Sequence, residues 1–249
     1  MTRRFYVDAA SLSGDRVEID GALAHRLANV LRMHAGGEVV LFDGSGEDVR
    51  VRLDGVSGRR VSAEVIGRTV GPREPRVRLH LYQSITKGDR FEWLLEKATE
   101  IGVARVVPLV AARSVVKTPA AGNRADRWRR IAVEAAEQCE RSAVPEIGAP
   151  LSFDDALRGA AGILLLPYEE AGDAAPSIHD VLNRRIDDVF ALAEVSAFIG
   201  PEGGYEAAEI ERANEAGAEV VTLGARVLRS ETAGLVAATL VMHAIGELG

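Results

Sequence analysis

The sequence predicts an α/β protein built on a parallel sheet and preceded by a smaller β-rich domain. Three observations carry that expectation. The grammar strand–loop–helix occurs twice near the C-terminus: an apolar run at residues 196–199, a glycine loop at 200–204 and a helical pattern at 205–216, then a strand at 219–223, a second loop and an apolar helical run at 233–248. Residues 162–167 (GILLLP) are apolar without alternation, as strands covered on both faces of a parallel sheet are. Val49, Val51 and Leu53 alternate with Arg50, Arg52 and Asp54, the pattern of a strand with one face buried.

Taken in order, residues 1–72 read as several short strands around one helix. A strand is expected at 38–42, a turn at 43–46, and alternating strands around Val49–Leu53 and Val61–Val65. The helix is expected over 21–33, ended by Gly36 and Gly37. Short strands at this spacing suggest a small β-barrel. Gly71, Pro72 and Pro75 break both helix and sheet and mark the domain boundary, leaving 76–249 as the second domain. There, a strand at 77–85 precedes a helix at 89–99 with Phe91, Leu94, Leu95 and Ala98 on one face, stopped by Gly102. A strand follows at 106–110, then a basic, glycine- and proline-containing loop at 113–123 and a long helix at 124–141. A short helix begins at Asp154, and residues 168–190 give no clear pattern. The last helix is apolar nearly all round, which demands cover on every side and makes a subunit interface a natural one. His243 within it reads as a core histidine.

Composition narrows the function classes. With 249 residues, 47% of them hydrophobic, the chain can bury a substantial core. The first ten residues lack the apolar centre of a signal peptide, and a single cysteine excludes an internal disulfide, so a reducing cytoplasm is the expected compartment. Five scattered histidines show no ligand spacing, so no metal is expected. The net charge of −7 hides an uneven distribution: residues 76–130 carry 12 basic against 5 acidic side chains, with Arg124, Arg127, Arg129 and Arg130 clustered beside Trp128. That stretch is either a solvated helix face or the footprint of a phosphate backbone.

The glycine loop speaks about the ligand. Gly200, Gly203 and Gly204 allow close backbone approach and positive φ, in a plain tight turn or around a ligand. Neither GxGxxG nor GxxxxGK[ST] occurs in the chain, and Glu202 would repel a phosphate. A neutral or cationic ligand held by backbone groups suits the loop better.

Two segments then acquire a specific meaning. Ile199-Gly200-Pro201-Glu202-Gly203-Gly204, followed by Leu223-Gly224-Ala225-Arg226-Val227-Leu228-Arg229-Ser230-Glu231-Thr232-Ala233, resembles the RsmE family of SPOUT-class methyltransferases, which modify uridine N3 in small-subunit ribosomal RNA. The resemblance extends to Arg3-Arg4-Phe5-Tyr6-Val7, to His25-Arg26-Leu27-Ala28-Asn29-Val30-Leu31-Arg32, to Lys97–Val103, to Arg113–Lys117, and to the stretches 127–131 and 134–141. Cys139, where serine is expected, and Tyr205-Glu206, where Phe-Ser is expected, are mild departures.

The resemblance implies a SPOUT α/β-knot domain with a C-terminal trefoil knot, a PUA-like barrel before it, homodimerisation through the last helix, ribosomal RNA or the small subunit as partner, and S-adenosylmethionine as methyl donor. It implies cofactor contacts from Leu165, Leu166, Pro167, Ile199, Gly200, Pro201, Glu202, Gly204, Leu223, Gly224, Arg226, Leu228 and Thr232. Glu202 either faces the cationic end of the donor or favours the following helix by its charge. RNA contacts are expected from Arg3, Arg4, His25, Arg32, Lys87, Lys117 and Arg141.

Uracil N3–H is a weak acid, and the attacking form is the anion, with charge spread onto O2 and O4. The site therefore needs a proton acceptor or cations that stabilise the anion. Arg229 is the first candidate for that cation and Arg113, from a facing subunit, the second. Ser230 is expected to N-cap the last helix, with Glu231 favoured by the helix dipole rather than by catalysis. Two alternatives stay open: a SPOUT enzyme acting on ribose 2′-OH or a tRNA base, and a non-catalytic RNA-binding assembly factor.

Overall fold

The computed structural model describes residues 3–71, 73–115, 123–172 and 174–249. The chain forms two compact units. The first takes residues 1–74 together with 136–144; the second takes 75–135 and 145–249.

In the first unit, β1 (Arg4–Tyr6), β2 (Arg16–Asp20), β3 (Glu38–Phe42), β4 (Glu47–Val56) and β5 (Arg60–Val70) form a sheet in the order β1-β3-β4-β5-β2. The alternation read from the sequence is the sheet's pleat: Val49, Val51, Leu53, Val61 and Ala63 are buried while Arg50, Arg52 and Asp54 face solvent. Helix α1 (Gly21–His25) widens into a π-type turn over Arg26–Val30, where the Leu31 amide donates to Arg26 O. Arg32 then takes φ 50°, so the helix stops short of Met33.

Two residues expected to contact RNA are instead buried in ion pairs. Arg4 is 8% exposed and pairs with Asp48, donates to Ser142 Oγ at 3.0 Å and lies over the Phe42 ring. Arg141 is 5% exposed and pairs with Glu74 at 2.8 Å, while the other Glu74 oxygen accepts the amides of Ser142 and Ala143. Both guanidiniums are spent on fixing residues 141–143 within the unit, and neither is presented to a phosphate.

The second unit is a seven-stranded sheet, wholly parallel: β6 (Arg78–Ser84), β7 (Arg105–Val110), β8 (Glu146–Ile147), β9 (Leu151–Ser152), β10 (Ile163–Pro167), β11 (Glu194–Ile199) and β12 (Glu219–Val221). The order is β12-β10-β11-β6-β7-β8, with β9 also on β7. Both faces are covered, which explains the unalternating runs. Leu79, Leu81 and Leu165 enter one apolar cluster; Tyr82, Leu166 and Phe198 enter the other, where Tyr82 and Phe198 stack at 4.5 Å.

Helix α2 (Arg90–Ile101) ends at Gly102, whose φ of 105° no other residue adopts without strain. Helix α3 (Asn123–Cys139) buries Trp128 against Phe91 and ends two residues before the expected Arg141, since Glu140 turns to φ 65°. Helix α4 (Phe153–Gly159) follows β9. The stretch 168–190, where the sequence shows no pattern, holds two more helices, α5 (Ile178–Arg184) and α6 (Ile186–Leu192). Ser177 and Asp180 form a reciprocal capping box that starts α5. Helix α7 is Ala207–Glu215 and α8 is Ser230–Ala244. Helix α8 packs on α2, α5 and β6, and its Gly234 allows that approach: a Cβ there would lie 2.9 Å from Leu94 Cδ1. His243 is exposed on α8, with Nδ1 3.0 Å from Leu248 O, so it is not a core residue. Among the described residues no helix is long and apolar enough to cross a membrane.

One buried group ties this unit to pH. His80 on β6 is 7% exposed, and neither ring nitrogen has a hydrogen-bond partner among the described residues, although Glu194 stands 3.5 Å from Nε2. Burial holds its imidazole below the ordinary value; Glu194 opposes this, and Arg78 and Arg105 add to it. The folded protein thus keeps His80 neutral while the unfolded chain protonates it more readily, so stability falls as pH drops below about 6.5. Thermal melting at pH 7.5 and 5.5 should show a smaller acid-induced drop for His80→Asn than for the parent chain.

Candidate functional site

The carboxyl ends of β10, β11 and β12 carry three loops, which is where open parallel sheets place their ligands. The loop after β10 begins with Tyr168 and Glu169. The loop after β11 is the glycine loop, and the loop after β12 runs to α8. A pocket opens between the first and third: Pro167, Tyr168 and Glu169 form one wall, and Leu223, Gly224, Arg226 and Leu228, with Ala233 of α8, form the other.

Each glycine of the site has a physical reason. Gly224 takes φ 99°, and its amide donates to Thr222 Oγ1 at 3.0 Å. Gly204 takes φ 68°, and a Cβ there would strike the Glu169 carboxylate. A Cβ on Gly200 would lie 3.0 Å from the Tyr205 ring, and one on Gly203 3.1 Å from Arg113 Cβ. The glycine loop is thus packed by Tyr205 on one side and by Arg113 on the other, and Arg113 Nη1 donates to Gly203 O at 3.2 Å. Arg113 therefore sits on the glycine loop of its own chain.

The second loop is tied to the first. Ser230 is the first helical residue of α8, with Arg229 at the N-cap position. Its hydroxyl does not cap the helix, contrary to expectation. It donates to Gly200 O at 2.6 Å and accepts from Gln83 Nε2 at 2.9 Å. A cap would need that oxygen for an α8 amide; here it joins the ends of β6 and β11 to α8.

Among the expected cofactor residues, Pro167, Leu223, Gly224, Arg226 and Leu228 line one pocket. The side chains of Leu165, Leu166 and Ile199 are packed into the cores, leaving only their backbone for a ligand. Pro201 is buried, Thr232 is half-buried in the first turn of α8, and Glu202 lies 3.7 Å from Arg90. Arg229 is exposed beside Leu228, and its guanidinium meets no carboxylate among the described residues. Arg3, His25, Arg32 and Lys87 are exposed; Lys117 lies outside the described residues. No sequence motif points to Tyr168 or Glu169, while Ala233 closes the second motif without being singled out as a site residue. The rule of strand carboxyl ends, applied to β10, points to the first two.

The pocket has apolar surface from Pro167, Leu223 and Leu228, polar backbone at Gly224, a carboxylate from Glu169 and a guanidinium from Arg226. With one charge of each sign between apolar walls, it suits a flat ligand of low net charge better than a polyphosphate. Nearby phenols do not act as bases near neutral pH. Complete burial, with Glu209 and Glu169 adding to it, pushes Tyr205 well above the ordinary phenol value, and the hydrogen bond to Glu170 raises Tyr168. Among the described residues no three His, Cys, Asp or Glu side chains converge as a metal site would.

Comparison with known proteins adds to this geometry. Residues 72–242 match the family model described as an RNA methyltransferase domain. The chain is 33% identical to the ribosomal RNA small subunit methyltransferase E of Bacillus subtilis, over 90% of this chain and 89% of that one. It is equally 33% identical to the protein of that name from Mycobacterium bovis, over 98% and 91% of the two chains. Among solved structures, the ribosomal RNA small subunit methyltransferase E of Neisseria gonorrhoeae bound to S-adenosylmethionine superposes with a TM-score of 0.81 at 30% identity, covering 98% of both chains. A putative methyltransferase of Legionella pneumophila in complex with the same cofactor superposes at 0.80, with 28% identity and 98% coverage of each.

Proposed function

Since the chain belongs to the ribosomal RNA small subunit methyltransferase E family, we propose that it transfers a methyl group from S-adenosylmethionine to uridine N3 of small-subunit ribosomal RNA, in the cytoplasm. The observation that carries this reading is the pocket between the β10 and β12 loops, which has apolar walls, a glycine-lined edge and no phosphate cradle. Leu223 and Leu228 would hold the adenine, the Gly224 backbone would offer it polar atoms, and Glu169 and Glu202 would serve the cationic end of the donor. Bound there, S-adenosylmethionine supplies an electrophilic methyl group. The protein's part is to hold the uridine in line with it, exclude water and stabilise the uracil anion. Arg229, and Arg113 on the glycine loop, are the cations assigned to that last task.

The same reading assigns the remaining architecture. The second unit is a SPOUT domain in which the segment between Gly200 and Ser230 threads a trefoil knot; the hydroxyl tie from Ser230 to Gly200 supports that path. The chain forms a homodimer through α8, where Val236 is half-buried and Leu235 and Leu240, also half-buried, flank the core cluster. The first unit is a PUA-like RNA-binding domain that offers Arg3, His25 and Arg32.

Labelled S-adenosylmethionine with small ribosomal subunits that lack the modification should give label retained in RNA, and retention of none would remove the enzymatic reading. The RNA-binding assignment has its own test. Replacing both Arg3 and Arg32 with alanine should weaken RNA binding without regard to sequence. It should also reduce the slope of log affinity against log salt by about 1 for each phosphate no longer neutralised. An unchanged slope would place the RNA elsewhere.

A further inference from the structure

Next to the cofactor pocket, along the same sheet edge, lies a polar nest that the pocket does not use. Glu231, in the first turn of α8, is 7% exposed, yet its Oε2 has no hydrogen-bond partner among the described residues. Its Oε1 has Arg90 Nε at 3.7 Å, and the same guanidinium reaches Glu202 at 3.7 Å. Ser84 Oγ, at the carboxyl end of β6, and Thr86 Oγ1 just beyond it are likewise buried and without partners among the described residues, whereas Gln83 Oε1 packs against Gly234 of α8. A buried carboxylate oxygen that no donor satisfies is costly, and its natural explanation is a donor that arrives with a ligand.

Position identifies the ligand. The pocket stands over β12 and β10, while Gln83 and Ser84 end β6, which pairs with β11 on the side away from β10. Ser230, tied to both Gln83 and Gly200, holds Glu231 between the two regions. A group lodged in the nest is adjacent to whatever the pocket holds. The nest offers a charged acceptor at Glu231, a cationic donor at Arg90 and hydroxyl donors at Ser84 and Thr86. The imide edge of uracil presents the complement: one N–H between two carbonyl oxygens.

We propose that Glu231 is the catalytic base that takes the N3 proton of the target uridine, with Arg90 beside it offsetting the charge of the uracil anion. The inference rests on the N3 reading given above. The N3–H bond breaks and its proton goes to Glu231 Oε2. The electron pair left on N3 forms the bond to the methyl carbon, and the methyl–sulfur bond breaks with its pair remaining on sulfur. Glu231 then gives the proton to water, which can approach beside Arg90, whose side chain is 46% exposed. Among the described residues the charged groups that reach Glu231 are Arg90 from α2 and, through it, Glu202 from the glycine loop, while β6 contributes the neutral Gln83 beside Ser230.

The test is Glu231→Gln, nearly the same shape without the basicity, assayed on small subunits across pH. At pH 7 the variant should lose about 10²–10⁴-fold in rate, and its rate should climb about tenfold for each pH unit as uridine ionises unaided, a steeper rise than the parent shows. Substrate RNA carrying 5-fluorouridine, whose N3 is more acidic, should rescue the variant more than the parent. S-adenosylhomocysteine binding, followed by calorimetry, should be unchanged. Glu231→Asp keeps the carboxylate, so it should follow the parent pH profile at a lower rate. A pH-independent loss without 5-fluorouridine rescue, or loss of S-adenosylhomocysteine binding, would make Glu231 structural and overturn the proposal. If the parent enzyme makes no N3-methyluridine, it is the reading of the reaction that fails, and the parent's product alone reveals this.

Discussion

Replacing Arg229 with alanine is expected to lower the rate of methyl transfer by about 10²–10³-fold, the usual cost of removing one donor aimed at developing negative charge. Arg229 holds the N-cap of α8 through its backbone, with φ −65° and ψ 151°, and the Ala233 amide donates to its carbonyl at 2.7 Å. Neither feature needs the side chain. Arg229 follows Leu228, a wall of the pocket, and its exposed side chain pairs with no carboxylate among the described residues. The fold should therefore survive: melting temperature should stay within about 2 °C, since surface substitutions of this kind shift stability by about 0.5 kcal/mol or less. Lysine at the position should recover part of the rate, because it restores the charge but not the planar fork. Full activity in the alanine variant would remove Arg229 from the mechanism.

The second large effect is on stability. Gly162→Ala is expected to destabilise the second unit by about 3–5 kcal/mol, combining a left-handed backbone cost of about 1–2 kcal/mol with disruption of strand packing. Gly162 precedes β10 with φ 74°, and a Cβ there would overlap the Glu194 backbone carbonyl. That obstacle is backbone and cannot rotate away. It lies at the start of the β10–β11 ladder, where Ile163 pairs with Val195 and Ser196 Oγ donates to Ala161 O at 2.7 Å. Relief requires parting two central strands. A loss of that size is roughly 6–20 °C in melting temperature for a domain of this size. Gly159→Ala is the contrast: its backbone lies outside the left-handed region, and a Cβ would meet nothing within 4 Å. It should be neutral or slightly stabilising. Equal melting of the two variants would contradict the packing at Gly162.

The two cases also show what a sequence makes legible. Periodicity carries β4 and β5, and the unalternating GILLLP run carries β10, because burial on one face or two is written in neighbouring residues. Helix α5 escapes a reading by pattern although Ser177 and Asp180 announce it with a capping box, since the helix is short and its apolar residues are few. Arg4 and Arg141 are expected to contact RNA from the family resemblance, which does not show what each guanidinium pairs with. Their partners, Asp48 and Glu74, lie 44 and 67 residues away, beyond any local pattern. Ser230 suggests a cap for a similar reason: its real partners, Gly200 and Gln83, are brought to it only by the order of strands in the sheet. At the site, motif resemblance picks out the β12 loop, whereas Tyr168 and Glu169 belong to no motif and become visible only as the opposite wall.

The central claim, methylation of a base nitrogen, is tested most directly by the product nucleoside. Small ribosomal subunits lacking the modification, and naked ribosomal RNA in parallel, would be incubated with the protein and labelled S-adenosylmethionine, digested and resolved by mass spectrometry. The account predicts that the label appears as N3-methyluridine. Label on ribose or on any other base position would contradict it, and with it the roles given to Arg229, Arg113 and Glu231.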